Sequence, residues 1–136
     1  MRTRPAERGE TLVEFTVASV VFLMTIFGMI QFGLAVWRYN SLSYLAQEGA
    51  RWAAVRGSNT SCSCTVATSD DVQTYVRARA VGIASAALTV TTTWPEGHDA
   101  GDTVQVIVQS SFTPRSGFIP TPTLSLASTA QMTIAR

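Results

Sequence analysis

Residues 15–37, FTVASVVFLMTIFGMIQFGLAVW, form the longest stretch of this sequence without a formal charge, and their reading decides what can be built around them. As an α-helix they rise about 35 Å, enough to cross a hydrocarbon layer of about 30 Å. The competing reading is a buried core helix. So long an uncharged run in a chain of only 136 residues argues against it, because one modest domain has little core to spare. A transmembrane helix is expected over residues 15–37.

The flanks orient it. Arg2, Arg4 and Arg8, opposed only by Glu7, put positive charge before the span, which predicts a cytoplasmic N-terminus and an exported remainder from residue 39 onward. An ordinary secretory signal has an apolar region of about 7–15 residues and a small-x-small cleavage site, and neither fits here. Instead the chain continues as RYNSLSYLAQEGARWAAVRG, residues 38–57. Leu42, Leu45, Gly49, Trp52 and Val55 recur there at three- and four-residue spacing, the period of one helix face. Ala46, Gly49, Ala50 and Ala53 offer small surfaces for close packing, and Gly49, Trp52 and Ala53 are the expected packing residues, with Trp52 turned toward a sheet. No proline falls within residues 11–56, and Gly57-Ser58-Asn59 supplies a stop. The simplest reading is one helix over residues 10–57, roughly 70 Å long.

Beyond it the pattern predicts a small α+β head, residues 58–136. SNTSCSCTVAT, residues 58–68, is a polar connection. Thr68 and Asp71 have the spacing of a capping box, with Asp70 and Asp71 favourably placed at a helix N-terminus. Val72, Val76, Ala80, Ile83 and Ala87 would give a helix over residues 69–87 its apolar face. The period then changes to two: Leu88, Val90, Thr92 and Trp94; Val104, Val106, Val108 and Phe112; Leu124, Leu126, Ala130, Met132 and Ile134. Three half-buried strands follow. PEGHDAGD suits a hairpin between the first two, PRSGFIPTP a longer loop before the third, and an antiparallel sheet covered by both helices would bury all the apolar faces.

Side chains able to do chemistry are few. A net charge of +1, carried entirely by arginine on the basic side, gives no field for nucleic acid, which is not an expected partner. Cys62 and Cys64 are one residue apart, too close for a bridge of usual geometry; a strained disulfide, free thiols or bridges between subunits all stay open. The single histidine, His98, leaves that pair without partners for zinc, and Glu96, His98, Asp99 and Asp102 read as a solvated turn with no EF-hand spacing. No nucleophile, base and orienter set stands out, so neither catalysis nor a cofactor or metal is expected.

RGETLVEF, residues 8–15, places a carboxylate, Glu14, directly in front of the span, where it is costly unless partnered. A short basic leader, Gly9, Glu14 five residues later, Phe15 and then an apolar helix resemble the processing site of type IV pilin-like precursors. More narrowly, Glu14-Phe15, Phe32-Gly33, Asn40 and Glu48-Gly49-Ala50-Arg51 resemble the TadE-like, pseudopilin-type proteins of tight-adherence (Flp) pilus systems. The resemblance is specific over about residues 8–56 and architectural beyond. It implies a pilin-like fold, removal of a cytoplasmic leader of residues 1–9 by a prepilin peptidase cutting between Gly9 and Glu10, and a role in subunit assembly for Glu14 and Phe15. It also implies partners: the membrane, the peptidase, other pilin or pilin-like subunits and the pilus assembly platform.

The expectation is therefore a single-pass protein of the bacterial cytoplasmic (inner) membrane, N-terminus inside and C-terminus outside. Its role would be that of a structural minor or accessory subunit serving Flp pilus assembly and adhesion. A permanently anchored extracytoplasmic binding module, neither cleaved nor polymerised, is the alternative.

Overall fold

The computed structural model describes residues 5–58, 65–113 and 123–135, with side chains from Gly9 onward. The chain falls into two compact units, Met1–Leu34 and Ala35–Arg136. One helix, α1, covers Pro5–Ala54 and so runs through the boundary. It starts inside the segment read as a leader. Pro5 suits the first helical position, since its missing N–H has no intrahelical partner there in any case.

Over residues 9–34 of the first unit α1 buries no residue. Phe15, Phe22, Phe27 and Phe32 are each more than three-fifths exposed. The helix is long and apolar enough to cross a membrane, with a mean hydropathy of 2.1 over its most apolar window. Its hydroxyls are satisfied locally: Thr16 Oγ1 donates to the Leu12 carbonyl at 2.7 Å and Thr25 Oγ1 to that of Val21 at 2.9 Å. Such back-bonding removes the cost of carrying a hydroxyl into lipid.

The second unit is α+β. It holds the remainder of α1, a second helix α2 (Ser69–Arg79), and an antiparallel sheet in the order β1 (Leu88–Thr93), β2 (Thr103–Phe112), β3 (Leu124–Thr133). Alternation does what the sequence predicts. Leu88 and Val90 of β1 and Val104, Val106, Val108 and Phe112 of β2 are buried, while their neighbours are half-buried or exposed. Against them lie Leu42, Leu45, Ala46, Ala50 and Ala53 of α1 and Val72 and Val76 of α2. Each fully buried valine or leucine contributes about 1.5–3 kcal/mol. Ser43 Oγ, 2.9 Å from Ser128 Oγ, adds a polar tie from α1 to β3.

The capping box at α2 is present. Thr68 Oγ1 accepts from the Asp71 amide at 3.3 Å, and an Asp71 carboxylate oxygen accepts from the Thr68 amide at 3.1 Å and its hydroxyl at 2.6 Å. These bonds, the hydroxyl's first, hold the Asp71 carboxyl below its ordinary value, slightly opposed by desolvation.

Three expectations are corrected. The second helix ends at Arg79 rather than residue 87. Ala80 turns to extended backbone, and Gly82 takes φ +73°, where the point a Cβ would occupy lies 2.5 Å from Trp37 Cη2. Packing of that indole against the bare glycine overrides the apolar periodicity: Ile83 is still buried, but from a loop, and residues 85–87 form only a short 3-10 turn. Trp52 does not face the sheet. It is half-buried against α2, its ring 4.9 Å from Tyr75 and covered by the Arg56 guanidinium at 4.0 Å. Val55 is 58% exposed, because the core face of α1 is carried by the alanines and Gly49.

The C-terminal end of α1 is fastened by backbone bonds from distant segments. Ala135 N–H donates to the Ala54 carbonyl at 3.1 Å, Ala67 N–H to that of Arg56 at 3.0 Å, and Ser58 N–H to that of His98 at 2.8 Å. The first of these occupies a carbonyl of the last turn, Ala54, that the helix itself leaves open.

Two outcomes follow from this packing. A Cβ on Gly49 would lie 2.8 Å from Val76 Cγ2 and 3.4 Å from Val106 Cγ1. Overpacking of this kind outweighs the gain in helix propensity, so Gly49→Val should destabilise the head by about 2 kcal/mol. Thermal circular dichroism in detergent should show a melting temperature lower by roughly 10 °C. The second outcome concerns acid. Because the folded-state value of Asp71 is lowered, its contribution is complete above the ordinary carboxylate value of 3.8 and is lost as pH falls through the lowered one. Thr68→Ala should lower the melting temperature near neutral pH, and that deficit should shrink on acidification through this range.

Candidate functional site: the long helix

The residues expected to act together in processing and assembly lie on the first turns of α1. Gly9 and Glu10 are consecutive helical residues, and Glu14 follows Glu10 by four positions, which puts the two carboxylates on the same face one turn apart. Glu14 is exposed, and Phe15 beside it is 71% exposed. A Cβ at Gly9 would meet nothing within 4 Å, and the same holds at Gly28 and Gly33. Among the described residues these glycines make no packing contact. What they leave is bare backbone along an apolar helix, a surface that another helix can approach closely.

Further along α1, the helix-packing residues of the sequence reading are distributed among different neighbours. Gly49 and Ala53 face the core; Gly49 touches Val72, Val76 and Val106. Trp52 belongs instead to a stacked group on the rim. Beside it the phenol of Tyr75 donates to Glu48 Oε1 at 2.9 Å, and Arg79, at 4.0 Å from the same carboxylate, lies over the Tyr75 ring at 3.7 Å. Desolvation, then the bond to Glu48 and its charge, raise the Tyr75 phenol above its ordinary value, with Arg79 and Arg56 acting against them. Sequence reasoning missed this network. Its only local signs are the four-residue spacings Trp52–Arg56 and Tyr75–Arg79, which place a guanidinium over a ring on one helix face.

In the β1–β2 connection, Glu96, His98, Asp99 and Asp102 form a hydrogen-bonded turn. Asp102 Oδ2 accepts from the Asp99 amide at 2.9 Å, Asp99 Oδ1 from the Ser58 hydroxyl, and Glu96 Oε2 from Thr103 Oγ1 at 3.3 Å. The His98 ring stacks on Trp94 at 4.5 Å. Gly97 and Gly101, at φ +128° and +102°, let the chain reverse there. Among the described residues no group of three or more His, Cys, Asp or Glu side chains is placed to hold a metal ion. Cys62, Cys64 and the loop 114–122 lie outside the described residues.

The motif residues of α1 thus divide by environment. Glu14, Phe15, Phe32 and Gly33 are exposed on the apolar part, whereas Glu48 and Gly49 join α1 to α2 and the sheet. Comparison with known proteins bears on this helix alone. No curated protein and no solved structure gives a significant match to the chain. Residues 9–51 match the family described as TadE-like protein, a segment contained entirely in α1. Over that segment, from the glycine before Glu10 to the arginine that closes Glu48-Gly49-Ala50-Arg51, the chain is similar to TadE-like proteins.

Proposed function

We propose that this chain is a structural, non-catalytic minor or accessory pilin-like subunit of a tight-adherence pilus system. It is made as a precursor, anchored by α1 in the cytoplasmic membrane with residues 1–9 inside, and cut after Gly9 by a prepilin peptidase. The family match supports involvement in a Tad pilus system. The observation that carries the finer reading is that the TadE-like segment opens with a stretch of helix, residues 9–34, in which no residue is buried. A helix apolar all round needs lipid or other helices about it, and a pilin-like subunit meets each in turn, first in the membrane and then in the filament.

The carboxylate before the span supports the same reading. In lipid or a packed bundle an ionised Glu14 needs a compensating charge. Cleavage between Gly9 and Glu10 creates one, a free ammonium one turn from Glu14 on the same subunit, or at comparable depth on a neighbour. Bare backbone at Gly28 and Gly33 gives such a neighbour a place to pack.

Processing and assembly separate experimentally. Among the described residues nothing lies within 4 Å of a Cβ at Gly9, so a change in the behaviour of Gly9→Leu reports on the peptidase. The variant should leave full-length precursor in the membrane. Glu14→Gln keeps the shape and removes the charge, so it should be cleaved yet absent from sheared surface pili. Immunoblots of membrane and sheared fractions read both. Retention of residues 1–9 in the wild-type protein of peptidase-containing cells would favour a permanently anchored binding module, and normal piliation by Glu14→Gln would remove that glutamate from assembly.

A further inference from the structure

Three separate parts of the second unit come together at the level of helix residues 37–39. Trp37, the last residue of the uncharged run, packs its indole against Gly82 in the loop after α2. Next to that glycine, Val81 is 80% exposed. Arg38, the first charge after the run, lies over the Phe112 ring at 5.0 Å and donates to the Ser111 carbonyl at 3.5 Å, which brings the end of β2 to the same level. Phe112 is paired with Leu124 at the start of β3, itself 46% exposed. Tyr39 and Tyr44 are 49% and 62% exposed, and Trp37, Tyr44, Arg79 and Val81 line one open, mostly apolar cleft.

Exposed valine and leucine side chains, two tyrosines, a tryptophan and arginines in one band match the composition of a membrane–water interface. Aromatic rings settle at headgroup depth, and arginine reaches from an apolar surface to phosphate. The occupant is set by continuity: Trp37 ends the apolar run and also touches Gly82, so whatever surrounds the end of the run meets the loop carrying Val81. The geometry points to a second membrane contact: the base of the head, through Val81 and Leu124 beside Trp37 and Tyr39, seats in the phospholipid headgroup layer, with Arg38 on lipid phosphate. This rests on α1 spanning the membrane as proposed above. It deepens that reading, because the head is then docked on the bilayer and must be lifted from it when the subunit leaves for a filament.

The test uses the full chain in phosphatidylcholine and phosphatidylglycerol vesicles, in a Cys62→Ser, Cys64→Ser background. Single cysteines introduced as Val81→Cys, Leu124→Cys, Glu96→Cys and Val21→Cys carry an environment-sensitive fluorophore. All four positions are exposed, so the label disturbs little packing. Circular dichroism of each variant confirms the fold. The labels at 81 and 124 should be quenched by lipids bearing a doxyl group just below the headgroup and protected from aqueous iodide, and the label at 96 should show the reverse. If position 21 is quenched by deep doxyl groups while 81 and 124 behave like 96, the contact is overturned and the anchor stands. Shielding of 81 and 124 from both quenchers overturns it in favour of protein, such as a second copy, covering the band. Absence of deep quenching at 21 removes the anchored reading and this inference with it.

Discussion

Val72 and Val76 of α2 and Val106 of β2 reach α1 at Gly49, where no side chain holds them off. Close approach at this point lets one helix serve both α2 and the sheet, because dispersion contacts and exclusion of water both depend on gaps smaller than a methyl group. Ala46, Ala50 and Ala53 extend the same shallow surface along the helix, and the larger Leu42 and Leu45 fill the space toward the preceding turn. The other packed glycines work similarly. Gly57, just beyond α1, lies against Ile134, and Gly82, in the loop after α2, admits the Trp37 ring, so each of these contacts also runs through an absent side chain.

The same helix carries glycines with the opposite environment. Gly9, Gly28 and Gly33 have open space where a Cβ would stand, and the residues around Gly28 and Gly33 are apolar and exposed. The polar fastenings follow this division. Glu48, Tyr75 and Arg79 tie α1 to α2 and Ser43 ties it to Ser128, while Thr16 and Thr25 of the apolar part bond to carbonyls of their own helix. One continuous backbone therefore carries two kinds of surface, and the change in side-chain chemistry near residues 37–42 marks where one gives way to the other.

Much of this was legible in the chain. The uncharged run, the small residues after it, the Thr68–Asp71 cap and the two-residue period of the strands are local signals, and local signals survive folding because they state which face of an element must be covered. What escaped depends on partners remote in sequence. The apolar period of the second helix continues through Ile83, yet the helix ends at Arg79 because Trp37 occupies the space beside Gly82. Trp52 has the spacing of a core residue, but its width is accommodated only at the rim, between Tyr75 and Arg56. At Glu14 the sequence speaks to a resemblance and a cost of burial. Among the described residues no bulky neighbour at Gly9 explains why a glycine stands there.

The bond from the Ala135 amide to the Ala54 carbonyl has a temporal meaning as well as a spatial one. Synthesis runs from residue 54 toward residue 135, so the final turn of α1 emerges long before the group that closes it. Helix and hairpins form quickly from near neighbours, whereas this closure waits on a contact of high sequence separation. Until β3 is laid against β2, the alanine face of α1 remains uncovered on that side. A nascent chain is thus aggregation-prone for as long as its final strand is delayed, and holding the first helix apart from other chains during that interval becomes a condition of reaching the native head.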